Sequence, residues 1–95
     1  MMAKVFYPLE SELVPASQPH PKNTFYKVSV GIEDWTDTNG WVYKVQMVYD
    51  GKVSGRRAPS FPVNTDDFER VTEAMGNLQR RLPQVVERAG GQVQP

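Results

Sequence analysis

Side chains able to do chemistry are few in this chain, and their spacing argues against most of it. The single histidine, His20, stands between Pro19 and Pro21. A proton-transferring or metal-ligating imidazole needs a rigid frame, which a proline-flanked segment does not supply. An incidental surface histidine is the plainer account. With no cysteine, disulfides, thiolate metal sites and a thiol nucleophile are excluded. Three carboxylates, Glu33, Asp34 and Asp37, cluster just before Asn39-Gly40. Such a group could share acid–base work or hold a hard cation, and Asp37-Thr38-Asn39-Gly40 has a faint likeness to a calcium loop. That loop needs an acid where Trp35 stands and a bidentate glutamate where Gln46 stands. A solvated hairpin loop accounts for the acids, so neither an enzyme nor a cofactor, metal or small-molecule substrate is expected.

The basic and aromatic residues make a more directed pattern. Positions 41–57 hold four cations, Lys44, Lys52, Arg56 and Arg57, against one acid, Asp50. Lys27 and Lys44 alternate with apolar neighbours, so each points away from the apolar side of its strand. If a helix covers that apolar side, Lys27, Lys44, Phe25 and Gln46 share the uncovered one. Cations that track phosphates, beside rings on which bases stack, are how single strands of nucleic acid are held. Arg56 and Arg57 follow Gly55, which lets a backbone approach a phosphate closely, and Lys52 precedes them. Phe25 and Trp35, the latter expected to be exposed near a hairpin turn, are the candidate stacking rings. An ordinary solvated face, with lysines guarding an edge strand, explains the same residues without a ligand.

The elements that must position these side chains are legible from period and punctuation. Residues 25–33 alternate with period two, Tyr26, Val28, Val30 and Ile32 on one side, which predicts a half-buried antiparallel strand. Thr38-Asn39-Gly40 is a hairpin signal, and residues 41–50 alternate again through Trp41, Tyr43, Val45, Met47 and Tyr49. Asp50-Gly51-Lys52 marks a second turn. A third strand is expected over about 56–63, on an edge or bulged, because Pro59 and Pro62 lack the donor a central strand must offer. Asn64 then fits an N-cap, Asp66 and Asp67 suit the positive end of a helix dipole, and Val63 could staple against Phe68. Phe68, Val71, Met75, Leu78 and Leu82 recur at spacings of three and four, an apolar stripe for the core or for a dimer partner. Pro83 ends or kinks this helix, yet Val85 and Ala89 keep its spacing, which predicts a kinked continuation to about Arg88.

Ninety-five residues, 11 basic and 11 acidic, fit one domain without net charge. The expected division is an extended, proline-rich arm over 1–24, a sheet-plus-helix domain over 25–89 and a frayed tail over 90–95. Within the arm, Lys4 to Tyr7 could add a short edge strand that Pro8 stops. No run approaches the roughly 20 apolar residues of a membrane span, and the N-terminus does not read as a secretory signal, so a cytoplasmic location without membrane contact is expected. So small a core is often completed by self-association, which makes a homodimer the expected state. The fold class is α+β: a curved antiparallel sheet of three to four strands followed by one amphipathic C-terminal helix.

The order of these elements resembles the positive cofactor four family of transcriptional coactivators over about residues 25–82. The residues that carry the likeness are Tyr26-Lys27-Val28-Ser29-Val30, Asp50-Gly51-Lys52, Gly55-Arg56-Arg57, Ser60-Phe61-Pro62-Val63, and Asn64 before an acidic turn and Phe68. The resemblance implies a dimer that binds single-stranded DNA across its sheets, with Arg56 and Arg57 in the family's basic segment and Lys27 and Lys44 on nucleic-acid-facing strands. The chain departs from the family in its extra residues around Ala58-Pro59, in Pro62, in its neutral charge and in lacking a basic, serine-rich N-terminal tail. The expectation is therefore a single-stranded nucleic-acid binder of low sequence specificity, a transcription or replication accessory factor. The alternative is a small dimeric protein-interaction module, an adaptor or mobile-element accessory protein whose partner adds to an edge strand or docks on the helix.

Overall fold

Period-two alternation and one helical stripe build the molecule. In the computed structural model, which describes residues 4–90, the chain forms β1 (Lys4–Pro15), β2 (Thr24–Trp35), β3 (Asn39–Tyr49), β4 (Lys52–Val53) and α1 (Asp67–Arg88). All neighbouring strands are antiparallel, in the order β1-β2-β3-β4, within one curled sheet. This is the α+β architecture expected from the sequence.

The apolar side of β2 is Tyr26, Val28 and Val30, which pair with Met47, Val45 and Tyr43 of β3. α1 lies against this side and adds Val71, Ala74, Leu78 and Val85 to the core. Full burial of a side chain the size of Leu78 stabilises the fold by about 1.5–3 kcal/mol. Of the five stripe residues, Val71 and Leu78 are enclosed in the protomer's own core. Met75 and Leu82 are half-buried beside it, and Phe68 is 59% exposed. The stripe is thus divided between enclosed residues and partly or largely exposed ones.

The curl has a local cause. The β1–β2 register shifts between Pro8 and Glu10, a bulge of the kind that bends a strand and increases its twist. Opposite it sits Gly31, where a Cβ would lie 2.1 Å from the Tyr7 carbonyl oxygen. Only glycine lets β1 cross this closely.

Several expectations are corrected. The arm is not a mere extension with a four-residue strand: β1 runs through Pro8 to Pro15, because an edge strand needs donors on one side only and the bulge absorbs the missing one. Asn39-Gly40 opens β3 opposite Asp34 and Glu33 instead of turning the chain. The reversal is made by residues 36–38, closed by the Trp35 N–H on the Thr38 carbonyl at 2.7 Å. The Asp50-Gly51 turn does form, with φ of 51° and 82°, the pair of positive values that a two-residue hairpin demands. No strand spans 56–63: β4 is two residues long and the chain then runs irregularly to α1, as Pro59 and Pro62 remove ladder donors. Asn64 is not the cap. It turns the chain at φ 67°, and the helix begins three residues later with Asp66 at the N-cap. Val63, 87% exposed, staples nothing, and Phe68 instead meets Phe61 edge-on at 5.4 Å. The expected continuation of α1 past Pro83 does form, and the helix runs to Arg88. Of the expected tail, residues 91–95 lie outside the described residues. Among the described residues, no helix is long and apolar enough to cross a membrane.

Candidate functional site

Because paired residues share a side of the sheet, the register places Lys27 beside Gln46 and Ser29 beside Lys44 on the side away from α1, with Phe25 next to Val48. This side carries a hollow lined by Phe6, Lys44 and Gln46 among others. Ser29 and Glu33 are buried on it, and the Ser11 and Ser29 hydroxyls are 2.7 Å apart. Lys44 spans the hollow: its Nζ donates to Glu33 Oε2 at 2.7 Å and stands 5.0 Å from the centre of the Phe6 ring. Lys44 is therefore already neutralised.

A groove of about 460 Å³ opens where the chain leaves β4, lined by Phe6, Lys44, Gln46, Arg56, Arg57 and Pro59 among others, none of them acidic. Its outer wall is shaped by Ser54, whose N–H reaches the Met47 carbonyl at 2.8 Å. The Ser54 hydroxyl accepts the N–H groups of Arg56 and Arg57 at 3.3 and 3.1 Å. This small nest holds both arginines at the rim, exposed to solvent. The Arg57 guanidinium lies 5.5 Å from the centre of the Tyr49 ring. Among the described residues, Lys27, Lys52, Arg56 and Arg57 have no carboxylate at ion-pair distance, whereas Arg70, Arg81 and Arg88 of α1 all do.

The expected site residues are thus partly gathered. Lys44, Arg56 and Arg57 line one groove, and Lys27, half-buried, adjoins it through Gln46. Lys52 pairs with Tyr49, which turns it toward the α1 side of the sheet. Phe25 is half-buried on the side away from α1, near β4. Trp35 is half-buried, not exposed, two positions beyond Glu33. Phe6 was not singled out from the sequence, since only the bulge brings β1 over Lys44. The aromatic and β-branched character of residues 4–7 is the one signal the sequence offers.

A second hollow, about 670 Å³, lies on the other side of Arg57, between Pro19-His20-Pro21 and residues 58–62, with Tyr49 also lining it. Its walls are tied together by Asp67, fully buried at the start of α1. Asp67 accepts the Ser17 N–H at 2.8 Å, the Ser17 hydroxyl at 2.5 Å and Arg70 at 2.6 Å. The Tyr26 hydroxyl is 2.8 Å from both Asp67 Oδ2 and the Ser60 carbonyl, so its one proton serves two acceptors. Burial alone would raise the Asp67 pKa. The Ser17 and Tyr26 hydrogen bonds and the Arg70 charge outweigh it and hold the carboxyl at about 2. Burial, with the Asp67 charge beside it, pushes the Tyr26 phenol up in turn. On β1, the hydrogen bond from Arg88 holds the Glu10 carboxyl below its ordinary value.

No protein-family model, curated protein or solved structure matches this chain.

Proposed function

We propose that this protein binds single-stranded nucleic acid, DNA in the first instance, with little sequence preference, as a homodimeric transcription or replication accessory factor in the cytoplasm. The observation that carries the reading is the groove beside β4, where Arg56 and Arg57 meet no carboxylate among the described residues and no lining residue is acidic. Unpaired arginines at a rim are free to displace counterions from a phosphate backbone. Lys27 extends the cationic track, Lys44 with its Glu33 partner shapes the groove, and Phe6 and Phe25 supply aromatic surface for bases. The resemblance to the positive cofactor four family supports the same reading. Self-association is supported by Phe68, Met75 and Leu82, the part of the helix stripe that the protomer leaves uncovered or half-covered. Titration of a labelled oligothymidylate at two salt concentrations tests it: binding that weakens steeply with salt is expected, and none at low salt would refute it.

One observation favours the alternative, a protein-interaction module. β1 is an outer strand with a single partner, and it exposes Tyr7 (51%) and Leu13 (58%). An added strand from a protein partner would cover both. Failure of every oligonucleotide to bind would turn attention to that edge.

A further inference from the structure

The hollow between Pro19-His20-Pro21 and Phe61 has chemistry that the groove does not use. It is lined by Pro19, His20, Pro21, Tyr49, Arg57 and Phe61 among others, again without an acidic side chain. Its volume falls in the range that encloses small ligands. Arg57 borders both hollows. Its guanidinium lies 5.5 Å from the centre of the Tyr49 ring and meets no carboxylate among the described residues, so its N–H donors are available to a phosphate.

His20 is held by two contacts. Its Nε2 lies 2.9 Å from the Ser60 carbonyl oxygen, which can only accept, so Nε2 carries a proton. The ring also meets Tyr26 edge-on, 5.8 Å between centres at 84°. A guanidinium without a carboxylate partner among the described residues, an imidazole and proline rings around one hollow combine an anion-binding group with largely apolar walls. Charge complementarity excludes a cation as the occupant, and the apolar walls ask for more than a bare anion.

We infer that this hollow is a nucleotide subsite: it holds one phosphate against Arg57 and packs the attached sugar and base against Pro19, His20, Pro21 and Phe61. The inference rests on the reading that a single strand occupies the adjoining groove, and it extends that strand by one residue past Arg57.

The chain has one histidine, so the imidazole NMR signals report on this hollow alone. Titration with thymidine 5′-monophosphate should move them saturably in the wild type and not in Arg57→Ala. In parallel, Arg57→Ala should lower the affinity for a dodecamer oligothymidylate roughly tenfold, as loss of a charge-assisted hydrogen bond predicts. If the dodecamer binds and Arg56→Ala weakens it while neither ligand moves the His20 signals, the subsite is overturned and the groove stands. If the mononucleotide moves the signals but no oligonucleotide binds, the groove reading fails and the subsite remains as a site for free nucleotides. Equal effects of inorganic phosphate and the mononucleotide would overturn the nucleotide assignment, and inertness toward all three ligands would overturn both.

Discussion

Along the β1–α1 flank Arg70, Arg81 and Arg88 each meet a carboxylate, whereas around β4 Lys52, Arg56 and Arg57 meet none among the described residues. The two flanks use the same side-chain chemistry for opposite ends. Arg81 reaches Glu12 at 3.0 Å and Arg88 reaches Glu10 at 2.8 Å, so those charges dock the helix on the outer strand and are spent within the fold. The cations near β4 are exposed to solvent. A chain with no net charge can therefore still present a locally cationic surface, because its neutralising acids are sequestered elsewhere. The difference teaches that the partner of a charge, more than the total, decides what a surface can bind.

The sharpest way to break the comparison is at its best-paired member. Asp67→Ala removes the carboxylate that Ser17, Tyr26 and Arg70 share, and unfolding in urea should show a loss of about 3–5 kcal/mol, the usual cost of leaving buried partners unmatched. Acid should do the same reversibly and by less. The Asp67 carboxyl titrates at about 2 in the folded protein against an ordinary 3.8. Its contribution, ~2 kcal/mol, is therefore intact above about pH 4 and lost as pH falls through about 2. Urea midpoints at about pH 5 and about pH 2 measure it.

On the other flank the signs reverse. Arg56→Ala/Arg57→Ala should leave the unfolding midpoint unchanged but reduce the salt dependence of oligonucleotide binding by roughly 1.4 in log–log slope, two phosphate contacts on a single strand. The smallest effect is expected from Arg81→Ala. Its side chain is 42% exposed, so its pairs with Glu10 and Glu12 are worth only about 0.5–1 kcal/mol, and oligonucleotide affinity should not move. Comparable loss of binding in both variants would dissolve the distinction between the flanks.

How much of this was legible in the residues follows from the range of the interactions. Tyr26, Val28 and Val30 announced a strand, and Val71 and Leu78 a helix, because alternation and helical period are local. Asp50-Gly51 announced its turn because two positive φ angles demand such residues. Asn39-Gly40 misled for the complementary reason: Asn39 takes no positive φ, and its dipeptide pairs as ordinary strand. β1 was underestimated because Pro8 reads as a stop in isolation, while its harmlessness depends on Gly31, over 20 positions away. The site was legible in its cations and illegible in their partners. Nothing near Lys44 in sequence points to Glu33, eleven residues earlier and on the neighbouring strand, and nothing near His20 points to Arg57.

The knot around Asp67 also bears on how the chain folds. The first turn of α1 gains its full set of contacts only once Ser17 and Tyr26, 50 and 41 residues earlier, have arrived beside it. Helix nucleation is costly, and here its reward is deferred until the sheet exists. The helix and the strands should then be won and lost together, with amides of the opening helical turn and of the middle of β2 exchanging with solvent at one common rate, set by global unfolding.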